Sequence, residues 1–341
     1  MLAAPAVEAL AGARRIHVVS HVDLDGLVAA ALLARWARRR GVEVVHDVTG
    51  ARGLYRMLRR ALQLAAGRPG TVVVAADLAP RSLSEAEALA AALNPRTTLL
   101  WLDHHEWPSG AHESLEKAGA IIVHDRSKTT AEIACSLLSC WGDGYEKMIV
   151  EIARADDGCS DDPYGLADKW RLVLRHIGWD GLRRAAESLA SGEAWPGWAR
   201  EVYEREAPSY YQEIREKTSV ERYSFEDVRV AVVTPPPRAS GCDVQRFGPS
   251  LGPGDADVVV ILYPRGMSIR TWGRLNANCI ASKLGGGGHS HVAGAPRPSQ
   301  SMSSAQIARM VARAALDCME PSTAGQSVDA AGTSPGNPAR I

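Results

Sequence analysis

A chain of 341 residues exceeds the roughly 250–300 residues at which a single core stops growing, so two domains are expected. The composition, 46% hydrophobic and 23% charged, is that of an ordinary globular protein with material for sizeable cores. Lysine plus arginine equals aspartate plus glutamate at 39 each, which argues against a long non-specific nucleic-acid channel but leaves room for a short anionic substrate. No run reaches the roughly 18 apolar residues of a membrane span, and the apolar N-terminus, 1–12, lacks the basic lead of a signal peptide. No membrane partner and a cytoplasmic location are therefore expected. The cysteines Cys135, Cys140, Cys159, Cys242, Cys279 and Cys318 form no CxxC pair and read as reduced, mostly buried thiols.

The first predicted strand, 15–20, runs directly into His21-Val22-Asp23-Leu24-Asp25-Gly26 and a helix over 27–40. A second strand at 42–48, a helix at 52–66 and a third strand at 71–76 follow, the last ending on Asp77. Ser82 and Glu85 open a helix over 82–93 with a capping-box spacing, and Thr129 and Glu132 repeat it for a helix over 129–141. Between them the apolar strand 97–102 stops abruptly at Asp103-His104-His105, and another strand covers 120–123. A helix over 146–155 runs into Asp156-Asp157-Gly158.

Residues 161–217 read as irregular helices carrying Trp170, Trp179, Trp195 and Trp198. Strand character restarts at 224–233, a hairpin spans 256–263 and 267–272, and a short helix over 276–284 ends in Gly285-Gly286-Gly287-Gly288-His289. A last helix covers 303–319, and the Pro-, Ser- and Gly-rich stretch 321–341 is expected to be disordered. Strands alternating with helices predict an α/β fold: an N-terminal, mainly parallel sheet flanked by helices over 13–160, a helical extension and linker over 161–222, and a smaller α/β domain with a mixed sheet over 223–320.

His21, Asp23 and Asp25 are spaced two apart, which points them to one side of an extended segment. Asp77 closes a strand of valine and alanine, where an unpaired charge is costly to bury. Right-handed crossovers bring the carboxyl ends of parallel strands to one edge, so these acids and Asp103-His104-His105 share a crevice. Carboxylates gathered there repel one another unless cations stand between them, and two Mn²⁺ or Mg²⁺ ions relieve that repulsion. Read singly, His21 also fits a capping or core histidine, Asp25 a plain N-cap, and Asp157, Asp161 and Asp162 solvated loop acids. The joint pattern favours a metal centre.

These motifs resemble the DHH phosphoesterase superfamily. His21-x-Asp23-x-Asp25-Gly26, the strand-end Asp77, Asp103-His104-His105, and Asp156 before a glycine match its four ordered motifs. The segment from Gly285 to Gly294 looks like the GGGHxxAAG signature of the associated C-terminal domain, with Val292 replacing the first alanine. His21 stands two residues before Asp23, as in RecJ-like and archaeal-type members.

The resemblance implies that Asp23, Asp25, Asp77, His104 and Asp156 are ligands of two divalent cations, Mn²⁺ preferred over Mg²⁺, with Asp25 and Asp77 bridging and His21 a ligand or close beside. Asp103, His104 and His105 would be catalytic, Asp103 orienting the neighbouring imidazole and His105 meeting the substrate phosphate, with a metal-bridging water as nucleophile. Arg270, Gly287, Gly288 and His289 would hold the far end of the substrate, while Arg274 and Asn276 shape the turn. The implied substrate is a short single-stranded oligonucleotide or small nucleotide, as for a nanoRNase. A RecJ-like single-strand exonuclease and a cyclic-dinucleotide phosphodiesterase are the alternatives, and a catalytically silent nucleic-acid-binding scaffold is a further one. Relatives often dimerise, so a homodimer belongs to the same expectation.

Overall fold

The computed structural model describes residues 3–319, apart from 250, 253 and 265. The tail expected at 321–341 lies outside the described residues. Helix α1 (Ala3–Ala11) leads into β1 (Arg15–Ser20), α2 (Leu24–Arg38), β2 (Glu43–Val48), α3 (Leu54–Ala66), β3 (Thr71–Ala76), α4 (Leu83–Ala92), β4 (Thr98–Asp103), α5 (Ala111–Lys117), β5 (Ile121–His124), α6 (Thr130–Leu138) and α7 (Gly144–Asp157). The five strands pair in the order β2-β1-β3-β4-β5, all parallel. Strand β3 is buried along its whole length, because helices cover both faces of the sheet. Leu27, Leu33, Ile133 and Ile149 of α2, α6 and α7 pack on one face; Leu58, Leu89 and Leu115 of α3, α4 and α5 pack on the other.

The chain steps from β1 outward to β2 and returns to β3 on the opposite side of β1. This reversal of strand order opens a crevice at the carboxyl ends of β1 and β3, the place where open α/β sheets bind ligands. The motifs after β1, β3 and β4 all fall at that edge.

Local chemistry sets the element ends. Helix α2 starts three residues earlier than the composition predicts, because Asp23 caps it by accepting from Gly26 N at 3.2 Å. Gly26 is required: a Cβ there would stand 2.8–2.9 Å from the backbone and Cβ of His21. The capping box of Thr129 and Glu132 forms in full. That of Ser82 and Glu85 forms by half, since the Glu85 carboxylate accepts instead from Arg81 N and its guanidinium.

Helices α8 (Ala167–His176), α9 (Trp179–Ala190) and α10 (Gly197–Lys217) link this unit to the second sheet. That unit runs β6 (Ser219–Phe225), β7 (Val228–Thr234), α11 (Gly241–Phe247), β8 (Val258–Leu262), β9 (Gly266–Thr271), α12 (Ala277–Lys283), β10 (Gly287–Gly288), β11 (Val292–Pro296) and α13 (Ser304–Met319). Its strand order is β10-β11-β9-β8-β7-β6, mixed because β7 and β8 are parallel while the other pairs are antiparallel. The single strand expected over 224–233 is a hairpin, β6 and β7, turning at Glu226 with φ 46. Helices α12 and α13 cover one face; Ala207, Tyr210 and Ile214 of α10 and Val244 of α11 cover the other, joined by Leu172 of α8. Among the described residues no helix is long and apolar enough to cross a membrane.

The expectation of reduced thiols is corrected. Disulfides join Cys135 to Cys140, Cys159 to Cys242 and Cys279 to Cys318, with Cα separations of 5.0, 5.2 and 6.2 Å. Sequence spacing could not show these pairs, because folding brings Cys159 and Cys242 together across 83 residues.

Candidate metal centre

Asp77 is the hub of the crevice. It follows β3 directly, is 1% exposed, and holds φ 62, a left-handed conformation that aspartate tolerates better than most residues. Its Oδ1 stands 3.4 Å from His104 Nε2 and 3.8 Å from His105 Nδ1, and its Oδ2 stands 3.6 Å from His21 Nδ1. Thr130 Oγ1 donates to Oδ1 at 3.2 Å.

Asp25 sits in the first turn of α2 and accepts from the backbone N–H groups of Thr130 and Ala131, at 2.8 Å each. The N-terminus of α6 thus holds this carboxylate, with the helix dipole favouring its charge. Its plain N-cap reading belongs instead to Asp23, which also pairs with His21 Nδ1 at 2.6 Å. Asp103 accepts from the His105 ring at 2.8 Å and from Trp107 Nε1, so it orients His105 and not His104. From the second sheet unit, His289 lies over both imidazoles, 5.0 Å from the His104 ring and 5.2 Å from that of His105, stacked on the latter.

The donors converge. The ligating atoms of His21, Asp23 and Asp77 lie within 4.8 Å of one another, as do those of Asp25, Asp77 and His104, of Asp77, Asp103 and His105, and of His104, His105 and His289. Asp77 Oδ2, His104 Nε2 and His289 Nε2 are buried without a hydrogen-bond partner. A buried carboxylate oxygen and ring nitrogens left unpaired cost stability unless something binds them, and this mixed oxygen–nitrogen set suits a divalent transition metal. The residues therefore fit metal binding.

Without a cation the cluster holds protons. Burial pulls His104 and His105 down, but Asp77 holds His104 at about 9 and Asp103 holds His105 at about 10. Burial works against Asp77 too, yet His104 and His21 keep it well below the usual carboxylate range. Asp25 is pushed well above that range by burial and by Asp77. His289 falls to about 4, through burial and the neighbouring His105 and His104.

The structure thus brings His21, Asp23, Asp25, Asp77, Asp103, His104, His105 and His289 together. Asp156 borders one cavity with Asp23 and Asp25, outside the tightest donor groups, and Arg171 Nε donates to its Oδ1 at 2.7 Å; burial raises it to about 7. The neighbouring Asp157 is exposed at the rim of the cavity lined by His104, where desolvation raises its carboxyl to about 6, offset by His104. Arg270 of β9 is 8% exposed and bonds Gln245 through Nη1. Gly287 and Gly288 form β10 against β11; a Cβ on Gly288 would come within 2.6 Å of Ala293 Cα. Arg274 is exposed, and Asn276 caps α12 by accepting from Cys279 N. Sequence reasoning missed Thr130, Arg171 and Gln245, none of which carries a local signal, and set Asp157 aside although it adjoins Asp156.

Acids and imidazoles gather at the switch point of a parallel sheet, a donor set suited to a divalent metal. Residues 15–155 match the DHH family, N-terminal domain, so the first sheet unit is a domain of that kind. Among solved structures, RecJ in complex with Mn²⁺ from Thermus thermophilus aligns at TM-score 0.56 and 18% identity over 92% of this chain, which spans 54% of that protein. A DHH-domain protein described as a member of a family of ribosomal proteins aligns at TM-score 0.55 and 14% identity, covering 93% of this chain and 91% of that one. Exonuclease RecJ bound to manganese aligns at 0.53 and 16% identity over 94% and 95%. Likeness at these identities establishes the fold. No curated protein sequence matches the chain.

Proposed function

We propose that this phosphoesterase hydrolyses phosphodiester bonds of short single-stranded oligonucleotides, as a nanoRNase does. One observation carries the reading. A cavity of about 600 Å³ opens from His104 and His289, lined by Arg126, Lys128, Arg154 and Arg270 and by Trp272. That volume lies in the range of small-ligand sites, with cations placed for phosphates and an aromatic ring for a base.

His21, Asp23 and Asp77 would hold one cation and Asp25, Asp77 and His104 a second, with Asp77 shared. Arg171 engages Oδ1 of Asp156, and we assign its Oδ2 to the ion beside Asp23, with Asp157 at the rim. Manganese is preferred over magnesium because imidazoles belong to the set. The cations, when bound, supply the Lewis-acid charge for attack on phosphorus. Asp103 holds the His105 ring in one orientation, from which it meets a substrate phosphate. His289 covers both imidazoles and excludes water from that side. Arg270 and the β10 backbone at Gly287 and Gly288 form the far wall. The homodimer implied by the resemblance belongs to the same proposal and is testable by light scattering, alongside the cytoplasmic location expected from the sequence.

A RecJ-like exonuclease is the second reading, favoured by fold likeness over nearly the whole chain to exonuclease RecJ bound to manganese. The test incubates the protein with Mn²⁺ and a labelled RNA dinucleotide beside a DNA strand of about 20 nucleotides. Mononucleotide released mainly from the dinucleotide, and lost in His104→Ala, supports the proposal. Processive loss of the long strand moves the assignment to the exonuclease, and release from neither refutes both.

A further inference from the structure

The disulfide between Cys159 and Cys242 crosses the cleft between the two sheet units. Cys159 follows α7 just past Asp156, Asp157 and Gly158; Cys242 is the second residue of α11. The other two disulfides stay within one unit each, Cys135–Cys140 beside α6 and Cys279–Cys318 between α12 and α13. The crossing bridge also divides space. On one side lies the 600 Å³ cavity of Trp272 and the cationic side chains, lined by both Cys159 and Cys242. On the other lies a second cavity of about 520 Å³, lined by Cys242, Asp23, Asp25, Asp156, Arg175 and Trp179. Arg270, which lines the first cavity, rests on the bridge, with Nη2 3.7 Å from Cys159 Sγ and 3.9 Å from Cys242 Sγ.

A second link lands on the same turn of α11. Arg171 Nη1 donates to Asp243 Oδ1 at 3.1 Å, while its Nε holds Asp156. Tyr210 Oη donates to Asp243 Oδ2 at 2.6 Å. The position of α11 is therefore tied covalently to the end of α7 and ionically to Asp156.

We propose that the Cys159–Cys242 disulfide is a redox-cleavable strap that limits substrate length. Closed, it walls the two cavities apart, and a strand can enter from one side only. A dithiol reductant attacks one sulfur as thiolate, forms a mixed disulfide, and resolves it with its second thiol. Two electrons and two protons pass to Cys159 and Cys242, and the reductant leaves as a disulfide. Both cysteines line the cavity, within reach of a reductant, whereas Cys135 is fully buried and Cys140 is 5% exposed. With the strap cut, α11 keeps only non-covalent ties to the elements around it, Arg171 to Asp243 and Arg246 to Asp161 and Asp168 among them, and the cavities join into a passage for a longer strand.

The substrate part of this inference rests on the phosphodiesterase reading, so its test has two arms on the full chain. Oxidised and dithiothreitol-treated protein are compared by peptide mass mapping and small-angle scattering, and by rates on the dinucleotide and the long strand with Mn²⁺. Oxidised protein should yield the Cys159–Cys242 linked peptide. If the strap keeps the open form below about a tenth of the population, reduction raises the long-to-short rate ratio roughly tenfold or more. The radius of gyration should grow with it. Cys242→Ser should reproduce both effects without reductant, and Cys279→Ser neither. Absence of the linked peptide overturns the strap, as do an unchanged ratio and radius once thiol titration shows the pair reduced. If neither substrate is cleaved in either state, the phosphodiesterase reading fails and scattering alone decides: expansion on reduction upholds the strap, and no expansion overturns it.

Discussion

Replacing Arg171 with methionine tests the ionic link between the two units. The guanidinium is 7% exposed and contacts three carboxylates: Asp156 at 2.7 Å, Asp168 at 2.8 Å and Asp243 at 3.1 Å. Asp243 is fully buried and keeps only the Tyr210 hydroxyl when Arg171 is lost. Methionine retains an apolar stem of similar length, so the change removes charge and hydrogen bonds more than packing. Stripping one partner from a buried ion pair costs about 3–5 kcal/mol, because the remaining charge is left uncompensated. Urea unfolding followed by tryptophan fluorescence should show a loss of that size near neutral pH. The sign of its pH dependence is fixed. Asp156 already stands at about 7 with Arg171 beside it, and it rises further without the guanidinium. A folded state that holds extra protons loses stability as pH rises. The deficit of Arg171→Met should therefore be larger at alkaline than at acidic pH, and Arg171→Met with Asp243→Asn should recover part of it. A loss under about 1 kcal/mol, the size of an exposed pair, would refute the reasoning.

Asp77→Asn keeps the left-handed backbone, which asparagine also tolerates, but removes the shared charge; calorimetry should show Mn²⁺ binding weakened at least about a hundredfold, and a loss below tenfold would contradict the hub assignment. Because a cation needs the neutral imidazole, and His104 stands at about 9, Mn²⁺ affinity of the unaltered protein should rise about tenfold per pH unit for each proton released between pH 7 and 9; a flat profile would contradict the raised value. In chelator, the same raised imidazoles contribute stability that is complete below their unfolded value near 6.5 and is lost as pH rises through about 9 for His104 and 10 for His105, so the melting temperature should fall over that window. Trp272→Ala should weaken dinucleotide binding by about 1–3 kcal/mol, read as a raised KM with kcat retained; an unchanged KM would remove the stacking role.

Much of the centre was legible because its strands are buried on both faces. β3 and β4 read as unbroken apolar runs, and an acid at the end of such a run has few structural reasons to be there. The crossovers of a parallel sheet then fix where those ends meet. Helices gave less. Asp156 and Asp157 are adjacent in α7, and neighbouring helical residues point about 100° apart. Both border the cavity of Asp23 and Asp25, but only Asp156 meets Arg171 and only Asp157 also lines the cavity with His104. Which does which depends on how α7 packs against α8, and the local sequence carries no trace of that. Arg171, Asp243 and the Cys159–Cys242 pair were hidden for the same reason, since each gains its meaning from a partner on another unit. The second sheet shows a middle case. The glycine run was visible as a motif, but its reason was not: Gly288 leaves no room for a side chain because it packs against Ala293. That His289 would close over His104 and His105 follows only once α10 and α11 have set the second sheet above the first. Strand-end chemistry is thus written locally, whereas whatever closes over it is written in the packing between the units.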